Sequence, residues 1–377
     1  MCGLKKVITS PPKLAVIVAA CLMIYALFID PIGMADNGDF FRVMNGNGLY
    51  KLDRSQPGEY MQYFSTKYGT YEYYNEYQES LFSSQTLFIS AATVLDRLFT
   101  GNDGLFDIRF LSVIISIWFM LGLHLLVDYA TWEISKRRRY YIAALGVLFF
   151  ADTGYTAYFN SFYAESIVFV SFITAISSAL LVFQKRYHPY PLIAIYIISS
   201  LVLTTAKQQN APLGVLLGIL IIPVMVSAFK QKAVVDPRKA RLRRFVIVGC
   251  SLLLCVCGIV VYMIIPQEFV DINKYHSMTR GILMTSQNPE TALEFFNINH
   301  QYSLLDGTIY YERYPEADVE GKELKTEFYP QYGFVSVAAY YTLHPREFFE
   351  MLNTAAKNAY VTCPEGIGNY QIGRAHV

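Results

Sequence analysis

Long apolar runs dominate the chain and are separated by short polar stretches. A helix needs roughly 20 mostly apolar residues to cross a hydrocarbon core of about 30 Å. Seven spans are expected on that basis, at about residues 14–30, 109–129, 140–151, 166–183, 191–207, 212–229 and 245–265. The third is short and stops at Asp152, and two further stretches, Leu81 to Leu95 and Phe334 to Leu343, can be read either way. Lys and Arg in short loops stay on the cytoplasmic side. Lys5, Lys6 and Lys13 precede the first span, Lys136 to Arg139 follow the second and Lys185 with Arg186 follow the fourth. The stretch KQKAVVDPRKARLRR separates the sixth span from the seventh. These clusters alternate only if Leu81 to Leu95 does not cross and residues 140–151 do. The expected fold is therefore an all-α polytopic membrane protein: a transmembrane helix bundle over residues 1–265, N-terminus inside, with a loop at 31–107 and a segment at 266–370 outside.

Composition sharpens this picture in a few places. Of 377 residues, 54% are hydrophobic and 16% charged, too apolar a balance for a soluble domain of this size. A net charge of +1 gives no argument for nucleic acid. The six cysteines show no metal or disulfide spacing and are assigned no chemistry. The first apolar run ends in FIDPIG without a small-x-small cleavage site, so it is read as a retained anchor. The tyrosine-rich YMQYFSTKYGTYEYYNEYQES in the first outer loop suits the headgroup level of a membrane. The basic stretch Lys230 to Arg244 could bind anionic lipid or an acidic partner, and the favoured reading is a topology determinant. The last residues, IGRAHV, match a common sequencing adapter read in frame. Residues 371–377 are therefore set aside as an artefact, and the chain is expected to continue past about Tyr370.

Candidate chemistry gathers at the outer ends of the spans. In ADNGDFFR, Asp36 and Asp39 are three apart, a spacing that puts both carboxylates on one side of a helix or turn. They could serve as a general base with its partner or share a divalent cation, Mg²⁺ or Mn²⁺. Arg42 continues the same face and could hold an anionic group. The competing reading is an interfacial helix cap. In FFADTGYTAYFNSFYAES, Asp152, Asn160 and Glu165 lie at or near membrane depth, where an unpartnered charge costs on the order of 3 kcal/mol. Broken, polar backbone is tolerated there when it lines a cavity. The third and fourth segments are therefore expected to form a short re-entering pair under an outward pocket, the alternative being an ordinary exposed loop. In TTAKQQNAP, Lys207 is positive on the side kept poor in lysine and could bind phosphate, or snorkel to headgroups. Arg109 is a similar phosphate candidate. Neither a Walker loop nor a dinucleotide fingerprint occurs, so the expected donor is membrane-borne. These parts suit transfer of a group from a lipid-phosphate donor, with a base removing the acceptor proton and a cation neutralising the departing phosphate.

An acidic motif in a long outer loop after the first span, followed by many spans, resembles the GT-C membrane glycosyltransferases. ADNGDFFRVMNGNGL together with YTAYFNSFYAES is similar, more narrowly, to glycan biosynthesis hexose transferases of bacterial S-layer and cell-wall glycan pathways. The resemblance covers roughly residues 1–265. It implies a hexosyltransferase in the bacterial cytoplasmic membrane, active on the outer face, that takes a polyprenyl-phosphate sugar to a glycan or lipid-linked acceptor among membrane lipids. Asp36 and Asp39 match the family's catalytic or metal-associated carboxylate. Asp39 is preferred as base because Gly38 and Phe40 flank it, whereas Asp36 sits at the membrane edge. A second acidic site would fall on Asp152 or Glu165. A flippase or transporter, or a polymerase or ligase, of lipid-linked glycans would use similar polar groups. The flippase would also need a water path reaching both faces.

Overall fold

The computed structural model describes residues 10–52, 64–71, 81–101, 103–230, 237–312, 314 and 318–359. The terminal adapter-like residues and most of the tyrosine-rich stretch lie outside them. The chain divides into two compact units, the second covering Ile264–Thr362.

Unit one is a helix bundle. Its helices are α1 Pro11–Ile24, continued by a π-turn at Tyr25–Ile29, α2 Gln85–Thr100, α3 Arg109–Ala130, α4 Lys136–Phe150, α5 Glu165–Gln184, α6 Pro189–Ala206, α7 Ala211–Lys230 and α8 Pro237–Met263. Six helices are long and apolar enough to cross a membrane, and α4 with the broken turns Thr153–Asn160, bent by 44°, makes up to seven. The chain is thus an all-α, multi-pass membrane protein. Large apolar side chains such as Leu22, Leu148, Ile219 and Leu252 are exposed along these helices. That pattern is costly in water and natural in lipid. Serines and threonines instead face neighbouring helices: Ser112, Ser171, Thr174, Ser199 and Thr204 are buried, as small polar residues are at helix contacts within membranes.

Three points differ from the expectation. The fourth segment, α5, runs a full 20 residues, so only the third is broken and no symmetrical re-entering pair forms. The basic residues Lys136 to Arg139 and Arg238 to Arg244 lie inside the first turns of α4 and α8, not in loops. Cations at a helix N-terminus oppose its dipole, so anionic headgroups are the natural compensation. The segment between α1 and α3 also contains a small antiparallel sheet, β1 Leu49–Tyr50, β2 Lys67–Thr70 and β3 Leu105–Asp107, in the order β1-β2-β3. Tyr50 pairs with Gly69 and Tyr68 with Phe106. At Gly69 a Cβ would meet the Tyr50 ring at 2.2 Å, so only glycine lets that ring lie across the sheet. Leu81 to Leu95 falls largely within α2, which at 16 residues is too short to span. It buries Phe88, Ile89 and Ala92 and exposes Leu87, Val94, Leu98 and Phe99.

Glycines set how closely α7 and α8 approach. A Cβ on Gly258 would lie 2.6 Å from the Ala211 carbonyl oxygen, and one on Gly218 2.5 Å from Cys255 Sγ. Removing the side chain brings the backbones into contact, the usual device where lipid supplies no hydrophobic drive.

Unit two packs short helices, α9 Gln267–His276, α10 Pro289–Phe295, α11 Phe334–Leu343 and α12 Pro345–Asn358, with π and 3-10 turns around an aromatic core. Tyr275, Phe328, Tyr329, Tyr332 and Tyr340 are buried in it with Ile282 and Leu293. Phe334 to Leu343 is a 10-residue helix, half the length a crossing requires.

Gly258→Ala is expected to lower the melting temperature in detergent by an amount matching about 1–3 kcal/mol of overpacking. Gly249→Ala, in the same helix with nothing within 4 Å of the added methyl, should be neutral or stabilising. Equal melting of the two variants would contradict the close α7–α8 contact.

Candidate functional site

The loop after α1 takes its shape from its own side chains. Asp36 Oδ1 accepts from the N–H of Gly38 at 2.8 Å and of Phe40 at 3.2 Å, and Asn37 Oδ1 accepts from Asp39 N–H at 3.1 Å. These overlapping Asx turns pass through Gly38 at φ +96°, a conformation that favours glycine. The chain then enters a single helical turn, Phe41–Met44, preceded by the buried ring of Phe40. That ring packs edge-on against Phe162 and Tyr163, with centroids 5.4 and 4.8 Å away.

The broken segment ahead of α5 clamps this loop from below. Asn160, with no exposed surface, donates from Nδ2 to the Leu27 carbonyl at 3.1 Å and the Ile32 carbonyl at 2.8 Å, while its Oδ1 accepts from Ser112. Tyr163 accepts from Asn37 N–H at 3.0 Å and donates to the Ala35 carbonyl at 2.9 Å. Gly33 completes the contact, since a Cβ there would lie 2.6 Å from the Asn160 carbonyl. Burial, with the nearby Asp36 charge as a smaller cause, pushes the Tyr68 phenol well above its usual value, and burial does the same to Tyr163. Both remain protonated, as the Tyr163 bond to Ala35 requires.

Above the clamp is a small cleft of about 50 Å³ lined by Asp39, Arg42, Ser83, Gln85, Glu165 and Lys207, among others, with room for one or two waters. Its charged groups form two pairs. Arg42 Nη2 lies 2.8 Å from Asp39 Oδ1, and Lys207 Nζ lies 2.6 Å from Glu165 Oε1. Glu165 opens α5, where the helix dipole favours an anion. Lys207 follows the last residue of α6 in extended backbone. The rim is sewn together by Ser83 Oγ donating to the Ala206 carbonyl at 2.7 Å, Gln85 Nε2 to Phe162 O at 2.7 Å and Gln208 Nε2 to Phe82 O at 3.0 Å.

The cleft thus brings together four of the eight candidate residues: Asp39, Arg42, Glu165 and Lys207. The other four have different tasks. Asp36 is almost fully buried, with one carboxylate oxygen committed to two backbone N–H groups, so the (i, i+3) spacing does not aim both carboxylates at one target. Asp152 is exposed and caps the short helix Thr153–Thr156 through Gly154 N–H at 2.8 Å; a capping role replaces the expected pocket role. Asn160 is a clamp and does not line the cleft, because all its hydrogen-bonding capacity is spent within the bundle. Arg109 binds Asp107 through Nε at 2.9 and 3.0 Å and through Nη2, which satisfies its guanidinium outside the cleft. The donor set does not fit the expected divalent cation either: Asp36 is turned into backbone and Asp39 onto a guanidinium. Among the described residues no three His, Cys, Asp or Glu side chains gather as metal ligands.

Ser83, Gln85 and Tyr163 were missed from sequence. The polar run SSQT at 83–86, between the apolar pairs Leu81–Phe82 and Leu87–Phe88, was the available sign.

A family model described as the YfdI N-terminal transmembrane domain matches residues 3–376. The chain belongs to this family. The match agrees with the multi-pass bundle and extends over both compact units, so the YfdI-type domain includes the aromatic second unit as well as the spans. No curated protein and no solved structure matches the chain.

Asn160→Leu is expected to leave two buried carbonyls and the Ser112 hydroxyl short of a partner and to destabilise the protein by about 3 kcal/mol, read as a loss of thermal stability in detergent. The raised phenols give a pH signature. Their stabilising effect is fully present below the unfolded tyrosine value of 10 and is lost as pH rises above it, because the unfolded chain then releases protons that the folded chain retains. Melting temperature should therefore hold up to about pH 10 and fall beyond it, less steeply in Tyr163→Phe.

Proposed function

We propose that this chain is a membrane glycosyltransferase that moves a hexose from a polyprenyl-phosphate donor to a glycan or lipid-linked acceptor at the outer face of a bacterial cytoplasmic membrane. One observation carries the reading: segments distant in sequence place two carboxylates and two cations in a single cleft at one end of the spans. Asp39 and Arg42 follow α1, Glu165 opens α5 and Lys207 follows α6. Helix alternation puts these positions opposite Lys136 to Arg139, Arg186 and Arg238 to Arg244, the clusters that the positive-inside rule keeps cytoplasmic.

The pairing of charges suggests how binding and chemistry are coupled. An anionic donor phosphate competes for Arg42 and Lys207, since bidentate guanidinium and ammonium contacts suit phosphate oxygens. Taking Arg42 releases Asp39, and taking Lys207 releases Glu165. A freed Asp39 then removes the proton from an acceptor hydroxyl as it attacks the sugar's anomeric carbon. The bond from that carbon to phosphate breaks, and the cations stabilise the leaving phosphate. The cleft must widen to admit a sugar, and separation of these two pairs is the motion available to it. The polar lining at one end of the spans favours an enzyme over a flippase, which needs polar groups along a path between faces.

With a labelled polyprenyl-phosphate hexose as donor, Asp39→Asn is expected to lower turnover a hundredfold or more, and Lys207→Met to raise KM for donor. Asp36→Asn should keep most activity, because an amide oxygen can still accept from Gly38 and Phe40. Undiminished transfer by Asp39→Asn would remove the catalytic assignment.

A further inference from the structure

Unit two contains a cleft that the proposed reaction does not use. It holds about 670 Å³ between α9, Tyr310 and the chain from Glu320 to Pro330, within the size range of small-molecule sites. Three observations define what it suits.

The first is charge. Glu268, Asp271 and Glu320 line the cleft against Lys274 and Lys325, and Lys274 is already engaged. Its Nζ donates to the Tyr329 carbonyl at 2.7 Å and lies 5.7 Å from the centre of the Tyr332 ring. The lining is net acidic, which disfavours phosphate or carboxylate ligands. The second is spacing: among the described residues no three carboxylate, imidazole or thiol groups come together as a cation site. The acidic groups are spread along the cleft and suit an extended polar ligand, not an ion.

The third is Tyr310. Only 6% exposed, it stands edge-on to Tyr275 at 5.9 Å, and among the described residues its side chain makes no hydrogen bond. Burial, with Glu320, Glu268 and Asp271 nearby, pushes its phenol up to about 12, so the hydroxyl keeps its proton. The hydroxyl opens on the cleft, where an acceptor on a ligand can reach it. Beside it the Tyr311 ring, 5.8 Å away and 67% exposed, lines an adjoining cleft that shares Tyr310, Glu268 and Glu320. Glu268 and Glu320 can only accept, whereas Tyr310 can donate. A ligand whose groups both donate and accept, on a scaffold with an apolar face, matches this arrangement.

We infer that this cleft binds a neutral carbohydrate, with sugar hydroxyls donating to Glu268 and Glu320 and accepting from Tyr310. The inference stands independently of the transferase reading.

The test uses the full chain in detergent, without lipid-linked donor, on an array of immobilised neutral and anionic hexose oligosaccharides. Retention on neutral members is expected, unaffected by EDTA. Tyr310→Phe and Glu320→Gln should each weaken binding roughly tenfold, while Glu350→Gln, at the exposed pair with Arg346, binds as the parent does. Tyr310→Phe removes only an unbonded hydroxyl, so its melting temperature should not fall. The array carries no lipid-linked donor, so its readout is separate from the outcome of the transfer assay. Lack of retention, retention on anionic glycans alone, loss in EDTA, or full binding by both Tyr310→Phe and Glu320→Gln would each overturn the inference.

Discussion

One end of the helix bundle depends on a buried amide. Inside a lipid-embedded protein a backbone carbonyl that leaves helical pairing must find another donor, because no water is at hand. The π-turn ending α1 and the extended chain after it leave the Leu27 and Ile32 carbonyls in that condition, and Asn160 satisfies both. Its own oxygen is satisfied by Ser112 on α3. One side chain therefore ties the first span, the loop after it, the broken segment and the second span into a single solution. The alternative is several unpaired polar groups in a medium where each is expensive.

That rigidity decides which acid faces the cleft. Asp36 and Asp39 are alike in type and close in sequence, yet the nested Asx turns consume the first and present the second. Gly38 makes the difference: its left-handed backbone reverses the chain between the two carboxylates, so they do not act as neighbours on a helical face. Tyr163 and Phe40 then hold the turn against the base of α5, which is why Asp39 and Arg42 meet Glu165 and Lys207 at all.

Much of this architecture was legible from pattern alone. The six long apolar helices and the short α2 followed from apolar run lengths, because lipid imposes a length rule that short-range propensity cannot obscure. The sheet was not legible: its strands are two to four residues long and carry no period. At the site, three motifs singled out in sequence meet in one cleft, but local spacing could not sort carboxylates that cap from carboxylates that face a cleft. Asp36, Asp39 and Asp152 all precede or open turns, and local spacing is compatible with either fate. Asn160 was read as a pocket residue because polar groups at membrane depth usually line cavities. Here the polar group serves backbone geometry, a distinction visible only once Leu27 and Ile32, more than 100 residues away, are in place.

Helix α2 has a further consequence. It is too short to cross, buries one stripe against the bundle and leaves Leu87, Val94, Leu98 and Phe99 uncovered, so in a bilayer it would float in the plane of the headgroups like a buoy. Ser83, Ser84 and Gln85, at its leading end, are stitched to α6 and to the segment ahead of α5. The waterline of that buoy thus sets the level at which the cleft opens.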